Sequence, residues 1–387
     1  MIGPLLVVVP FAPFDGISPA TVVAGLPLIT RLVRAARATG YPDVLVSDMG
    51  GADIRDLVVS AGGSMLTPSR CTAVSGRCRI VVTPANIVPQ PRWLRALLSE
   101  PIEAERLYID GTSVVLVETA RANAVIAAAA ASESAPALIG ALSRVFAKGP
   151  EPLTLEGCVA LSSAGDVRTA EAWLLRSLIK QNEGFMSRHF ERRISLAITR
   201  RLATTSVTPN AMTLVSVAVG LIAAPFFLGS SALLQLTGAL LFLAHSILDG
   251  CDGELARLKF LASRRGAILD FWGDNVVHVA VFSCIAIGWT LSAGTPWPLA
   301  VGAVAVAATL ASAALVFQRT ADDRAQDANS PAAARLAAAL TNRDFIYLLI
   351  LCSALAKASW FLVAVAVGTP AFFLVVLWNE RRRDRVR

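Results

Sequence analysis

The amino-acid sequence predicts a soluble, doubly wound α/β domain followed by an all-α transmembrane bundle of six helices. Three observations lead there. Of the 387 residues, 55% are hydrophobic and only 16% charged, against roughly 25% charged in an ordinary soluble protein. Every uninterrupted apolar run long enough to cross a bilayer lies after about Thr208. Before that point, short β-branched runs alternate with helical stretches, the pattern of a parallel sheet covered on both faces. The 26 glycines have no period, and no heptad or low-complexity block occurs, which excludes collagen, coiled coil and bulk disorder.

The apolar start of the chain lacks a basic flank and a small-residue cleavage site, so residues 5–9 read as a first strand rather than a signal peptide. Residues 43–47, 79–82, 107–110 and 114–118 read as further strands, and 27–38, 92–99 and the Ala-rich 120–132 as helices. Beyond about residue 180, Phe190, Ile194, Ile198 and Leu202 recur every four residues, with Arg188, Arg192, Arg193, Arg200 and Arg201 mainly off that stripe. This predicts an amphipathic helix on the membrane surface. Its arginines can fix topology alone or also capture an anionic substrate or lipid.

Spans are expected at about 212–228, 232–248, 267–290, 299–317, 345–355 with its flanks, and 361–378. The loops 229–231 and 292–297 carry no charge, whereas 257–265, 319–343 and 380–387 are Arg-rich. The positive-inside rule then places both termini in the cytosol and the chain in a cell inner or plasma membrane. The expected division is 1–180 for the soluble domain, 181–208 for the juxtamembrane helix, 209–380 for the bundle and 381–387 for a basic tail. The net charge of +7 sits beside the apolar runs, which points to membrane lipid and not to nucleic acid. Six cysteines show no Cys-x-x-Cys pair, in keeping with a reduced compartment.

Chemistry concentrates in Asp249-Gly250-Cys251-Asp252-Gly253-Glu254-Leu255-Ala256-Arg257, then Gly266-Ala267-Ile268-Leu269-Asp270-Phe271-Trp272-Gly273-Asp274. Asp249 and Asp252 are three apart, Asp270 and Asp274 four apart, so each pair shares one helix face. Four carboxylates gathered at membrane depth are strongly destabilising unless cations neutralise them. Hard oxygen ligands favour Mg²⁺ or Mn²⁺, which typically share their coordination with substrate phosphates. Two ions, a diphosphate and one carboxylate taking a proton from an attacking hydroxyl make a consistent phosphotransfer site. A cation-coupled transporter would also place acids in a membrane, but transport gives no reason for Gly and Arg at these spacings. His245, one turn before Asp249, reads as a hydrogen-bonded packing residue, and Trp272 as packing on the far helix face. Arg319, Arg324, Arg335 and Arg343 are candidates for an acceptor's phosphate, and the sequence does not select among them.

The pattern Asp-x-x-Asp-Gly-x-x-Ala-Arg, eight residues, then Gly-x-x-x-Asp-x-x-x-Asp resembles the signature of the CDP-alcohol phosphotransferase (CDP-alcohol phosphatidyltransferase) family at every defined position. The resemblance implies a six-helix membrane fold, often dimeric. It also implies an enzyme of phospholipid or polar-headgroup synthesis that takes a CDP-alcohol, such as CDP-diacylglycerol or a CDP-polyol, and transfers its phosphoalcohol to an alcohol or sugar-phosphate acceptor, releasing CMP. It makes Asp249, Asp252 and Asp270 ligands of one metal and Asp249, Asp270 and Asp274 of a second, with Asp274 the proton acceptor. Gly253, Ala256, Arg257, Ser263 and Gly266 match positions that hold the CDP-alcohol, and Asn210 with Thr213 resembles the segment entering the first span near the nucleotide.

The soluble half resembles nucleotidyltransferases over Gly25–Arg31, Gly40-Tyr41 and Val44-Leu45-Val46. The whole arrangement is similar to the bifunctional inositol-phosphate cytidylyltransferase/di-inositol-phosphate-phosphate synthases. The chain departs from that pattern where nucleotide chemistry is needed. Pro10-Phe11-Ala12-Pro13-Phe14-Asp15-Gly16 replaces a Gly-rich, Arg-bearing loop, and Thr83-Pro84-Ala85-Asn86 replaces a metal-binding Asp. A non-catalytic domain is therefore expected there, with a bifunctional enzyme as the alternative.

Overall fold

The computed structural model describes residues 3–9, 16–47, 52–66, 76–179, 186–323 and 345–384. The chain divides into two compact units, one of Met1–Ser177 with Leu258–Phe260, the other of Leu178–Arg257 with Leu261–Arg387.

In the first unit, strands β1 (Leu5–Val9), β2 (Val22–Val23), β3 (Leu26–Pro27), β4 (Asp43–Val46), β5 (Ser64–Met65) and β6 (Cys78–Pro84) are followed by β7 (Ile87–Pro89), β8 (Arg106–Ile109), β9 (Val115–Thr119), β10 (Ala147–Lys148) and β11 (Cys158–Ala160). Seven of them form one sheet in the order β10-β8-β9-β6-β1-β4-β5. β1 pairs in parallel with β4 and β6, while β9 runs antiparallel to β6 and β8. A central strand of this kind is covered on both faces and reads as a continuous apolar run, and all five residues of β1 are buried.

The period of two along β1 divides the core. Leu6 and Val8 pack with Ile29, Leu32 and Trp93, on the side of helices α1 (Leu28–Thr39) and, after α2 (Ala52–Ser60), α3 (Pro91–Ser99). Leu5, Val7 and Val9 pack with Val125, Ile126 and Leu142 of α4 (Ala122–Ala131) and α5 (Ala135–Val145) on the other. Burying one such aliphatic side chain contributes about 1.5–3 kcal/mol, so neither face of β1 accepts a polar residue cheaply. Gly40 closes α1 in the left-handed conformation (φ 106°) that only glycine adopts freely. Arg31 is buried within α1, and its Nη2 donates to the carbonyls of Val23 (2.8 Å) and Ala24 (3.1 Å). Burial lowers its pKa to about 10, against the opposing pull of Glu171, whose carboxylate accepts the Ala24 N–H at 2.8 Å. Helix α6 (Asp166–Ser177) ends the unit.

The second unit is helical. A π-turn at Ser187–Glu191 leads into α7 (Arg192–Ala203). Ser187, Glu191, Ser195, Thr199 and Ala203 are buried; of the apolar stripe, Phe190 and Ile194 are exposed, while Ile198 and Leu202 are half-buried against Met212, Cys251 and Leu255. Thr208 caps α8 (Pro209–Ala223) through its hydroxyl, with Pro209 in the first turn. Helices α9 (Ala232–Lys259), α10 (Arg264–Ala293), α11 (Trp297–Asp323), α12 (Phe345–Ala354) and α13 (Ala358–Asp384) follow. Among the described residues four helices are long and apolar enough to cross a membrane, Pro209–Leu228, Ala232–Lys259, Arg264–Ala293 and Trp297–Gln318. These helices make the chain an integral membrane protein.

The expected fifth span is described only over the 10 residues of α12, about 15 Å against a hydrocarbon core of about 30 Å. It stops because Ala356 turns left-handed (φ 54°) and the Lys357 N–H returns to the Cys352 carbonyl at 2.8 Å. The candidate phosphate-binding residues Arg324, Arg335 and Arg343 lie outside the described residues, as do Phe185 and 10–15, and Arg319 stands near the end of α11.

Candidate active site

Two helices and the reversal between them carry the acidic residues. α9 brings Asp249 and Asp252 near its C-terminal end, and Phe260, left-handed at φ 58°, ends it. Ser263 then starts α10, its hydroxyl accepting the Gly266 N–H at 3.0 Å. Asp270 and Asp274 follow on one face. Carboxylate oxygens of Asp249, Asp270 and Asp274 all lie within 4.8 Å of one another. Asp249 is buried and Asp270 and Asp274 are half-buried, so bulk water screens this concentration of charge only in part. Three hard oxygen donors at that spacing fit a divalent cation, whose charge offsets their repulsion.

Asp252 stands apart from the trio. It is buried, and its Oδ2 accepts a hydrogen bond from the Thr213 hydroxyl on α8, which also donates to the Pro209 carbonyl at 3.2 Å. The second of the two metal sets expected from sequence is therefore the one gathered within 4.8 Å, while Asp252 is held beside it by the entry to the first span.

The residues expected to hold the donor lie around this reversal. A Cβ on Gly253 would stand 3.2 Å from Nη1 of Arg257, so the missing side chain leaves room for the guanidinium, and Arg257 itself is exposed. A Cβ on Gly266 would stand 2.8 Å from Oδ1 of Asn210 and 3.0 Å from Oγ of Ser263. Those residues thus meet at one point, where α8 begins beside the start of α10. Half-buried Ala256 accepts the Leu261 N–H at 2.8 Å, closing the end of α9.

Residues 206–375 match the family model for CDP-alcohol phosphatidyltransferase. That stretch is similar to a CDP-alcohol phosphatidyltransferase domain. The chain is similar to the bifunctional IPC transferase and DIPP synthase of Rubrobacter xylanophilus, 34% identical over 148 residues, which cover 38% of this chain and 33% of that protein. It is also similar to the CDP-diacylglycerol–serine O-phosphatidyltransferase of Mycobacterium tuberculosis, 33% identical over 101 residues, 24% of this chain and 34% of that protein. The chain thus spans about a third of the length of these curated relatives. A solved structure, the phosphatidylinositol phosphate synthase of Mycobacterium tuberculosis with CDP-DAG bound, matches with a TM-score of 0.38 and 16% identity, over 48% of this chain and 92% of that one.

Within the matched stretch, a cavity of about 740 Å³ opens beside Asp249, Asp270 and Asp274. Its polar lining includes residues not singled out as site residues from sequence, three of which are His245, His278 and Ser312. His245 Nδ1 donates to the Ser216 carbonyl at 2.9 Å, and its Nε2 faces Asp274 Oδ1 at 3.5 Å. With Nδ1–H fixed by the carbonyl, Nε2 is the ring nitrogen turned toward the carboxylate. His245 is hydrogen-bonded as expected, but it also meets the expected base. His278, one turn beyond Asp274, is ringed by Phe242, Phe282 and Phe345 at centroid distances of 5.6, 5.9 and 6.0 Å. Ser312 of α11 is the third. The spacings of His245 to Asp249 and of Asp274 to His278, four residues each, could have flagged both histidines; no local signal marks Ser312. Trp272 packs as expected, against Phe271 and Phe317 at 5.5 and 5.8 Å.

Proposed function

We propose that the chain is a metal-dependent CDP-alcohol phosphotransferase that moves a phosphoalcohol from a CDP-alcohol to a second alcohol and releases CMP. The observation that carries this reading is the convergence of Asp249, Asp270 and Asp274 within 4.8 Å inside the domain that the family model matches. The donor is a CDP-alcohol, with CDP-diacylglycerol, or a CDP-polyol, as the species to test. Asp249, Asp252, Asp270 and Asp274 would hold two Mg²⁺ or Mn²⁺ ions, which when bound supply polarisation of the diphosphate and neutralise the charge that develops on the departing phosphate.

The chain's own residues do the rest. Arg257, beside Gly253, pairs with a donor phosphate, and Asn210, Thr213, Ala256, Ser263 and Gly266 line the reversal where the nucleotide lies. Asp274 takes the proton of the attacking hydroxyl. The acceptor oxygen then bonds to the phosphorus that carries the donor's alcohol, the bridge from that phosphorus to the cytidylate oxygen breaks, and CMP leaves with that oxygen. His245, through its contact with Asp274, orients the carboxylate for this transfer.

The full bundle has six spans, both termini lie on the cytosolic side of an inner or plasma membrane, and the protein works as a homodimer in phospholipid synthesis. A second reading, a bifunctional inositol-phosphate cytidylyltransferase/di-inositol-phosphate-phosphate synthase, draws support from the likeness to the bifunctional Rubrobacter relative. The soluble domain carries the nucleotidyltransferase-like fold without its chemistry under the first reading and with it under the second.

The test is CMP release by purified protein with Mg²⁺ or Mn²⁺ across CDP-alcohols and acceptors. Asp274→Asn is expected to lower kcat by about 10²–10⁴-fold, the usual contribution of a positioned base, while CDP-diacylglycerol still raises the melting temperature. Undiminished turnover of that variant would refute the role given to Asp274.

A further inference from the structure

The cavity beside the carboxylates has two ends of different chemistry. At one end are Asp249, Asp270 and Asp274; at the other are Phe242, Phe282, Phe345 and Phe361. Phe242 lies seven residues before Asp249 on α9 and Phe282 eight after Asp274 on α10, which puts this aromatic wall about 11 Å along the helices from the acids. The rings form a continuous surface, with Phe282 and Phe345 each 6.2 Å from Phe361. Among the described residues no Lys or Arg lines the cavity.

The polar groups between the two ends are uncharged or imidazole. Ser312 is 6% exposed and its Oγ has no hydrogen-bond partner. A buried hydroxyl in that state is a cost that a bound hydroxyl removes. Asn275 gives an N–H to the Phe271 carbonyl at 2.7 Å and Thr309 its proton to the Ala305 carbonyl at 2.8 Å, so both present acceptor oxygens. Among the described residues, a phosphate entering here would meet three carboxylates and no Lys or Arg side chain. A hydroxyl on a hydrocarbon body would meet Ser312 and the aromatic wall.

We propose that this chamber is the acceptor subsite and that it takes an uncharged alcohol with a hydrocarbon body, of the diacylglycerol or long-chain alcohol class, rather than a sugar phosphate. This deepens the function reading and rests on it. The occupant is the acceptor and not the donor's lipid because Asp274, which takes the acceptor's proton, lines the chamber, whereas Gly253, Arg257, Ser263 and Asn210 do not. Donor and acceptor thus approach the carboxylates from different sides.

The experiment uses the full chain in lipid nanodiscs with Mn²⁺ and CDP-diacylglycerol, and reads CMP release with dioleoylglycerol, oleyl alcohol, inositol, inositol 1-phosphate and glycerol 3-phosphate. The apolar alcohols are expected to give at least about tenfold more CMP than the phosphorylated ones, the ratio expected when a single polar mismatch goes unpaired. Ser312→Val is expected to raise the acceptor KM several-fold with a smaller change in kcat, and Ser312→Thr to restore it. Gly368 also lines the chamber, and a Cβ there meets nothing within 4 Å. Gly368→Phe should therefore shift the preferred alcohol to shorter chains without a packing clash. CMP formed with the phosphorylated acceptors or free inositol in preference to the apolar alcohols overturns the inference alone, as does an unaltered acceptor KM in Ser312→Val. CMP formed with none of the acceptors or CDP-alcohols overturns the function reading itself.

Discussion

Glu254 sits between Asp252 and Ala256 at a position that the acidic signature leaves unspecified, and it is fully buried. Its carboxylate accepts from Arg192 Nη1 at 2.6 Å, Ser195 Oγ at 2.7 Å and Thr199 Oγ1 at 2.6 Å. A buried ion pair of this kind contributes little by itself, but removing one partner leaves the other charge uncompensated, at about 3–5 kcal/mol. Arg192→Ala is therefore expected to destabilise the membrane unit by about that amount and to lower kcat, because Glu254 adjoins Gly253. Glu254→Gln should be milder, since the hydroxyls can still donate to the amide oxygen. Melting in detergent, followed by CMP release, checks both; an unchanged melting temperature for Arg192→Ala would remove the pair from any structural role. The acids of the site were legible because their spacing repeats a helical face. Glu254 and Ser312 take their meaning from neighbours on other helices, and spacing along one helix does not encode that.

At the scale of elements, the sequence was most readable where a run is long enough to show its period. The runs at 5–9 and 79–82 became β1 and β6, whereas β5 and β10 have two residues each, too few to display alternation. In the juxtamembrane helix α7, Phe190 and Ile194 of the apolar stripe are exposed, Ile198 and Leu202 pack against Met212, Cys251 and Leu255, and Ser195 and Thr199 beside them donate to Glu254. In the α/β unit, Glu105 ties the open end of the β8–β9 hairpin. Burial by itself would push this carboxyl up. The Arg121 guanidinium at 2.7 and 3.0 Å, the Thr119 hydroxyl at 2.8 Å and the Ala120 N–H at 3.0 Å outweigh it and hold the pKa below the ordinary carboxylate value. A carboxyl lowered on folding adds stability that is present above its unfolded pKa and lost as pH falls through its folded pKa. The pair is about one-third to one-half exposed, so solvent screening limits the gain to about 0.2–1 kcal/mol. Glu105→Gln should lower the melting temperature of the soluble unit at neutral pH, and the gap to the unsubstituted chain should close on acidification below the usual carboxylate range. A gap that stays constant with pH would show that the ion pair is not its source.

For the molecule as a whole, the described residues of the two units differ in the chemistry they offer. The sheet of the soluble unit ends β6 at Cys78–Pro84, where a nucleotidyltransferase would carry a metal-binding acid. Here Thr83 is 1% exposed, the Ala85 N–H is bonded to the Val9 carbonyl at 3.1 Å, and Asn86 is tied to Leu161 through its Nδ2 at 2.7 Å and its carbonyl at 2.8 Å. These residues close the strand end by backbone bonds and offer no carboxylate. The membrane unit holds the opposite arrangement, with acids concentrated beside a cavity. A cytidylyltransferase must stabilise the diphosphate leaving from CTP, and without cations held at that strand end the developing charge has little to oppose it. The intact chain, given CTP, inositol 1-phosphate and Mg²⁺, is therefore expected to release no diphosphate above the uncatalysed level, while the same preparation forms CMP from a supplied CDP-alcohol. Steady diphosphate release, abolished by no substitution in the membrane unit, would instead establish a second active centre in the soluble unit and make the chain bifunctional.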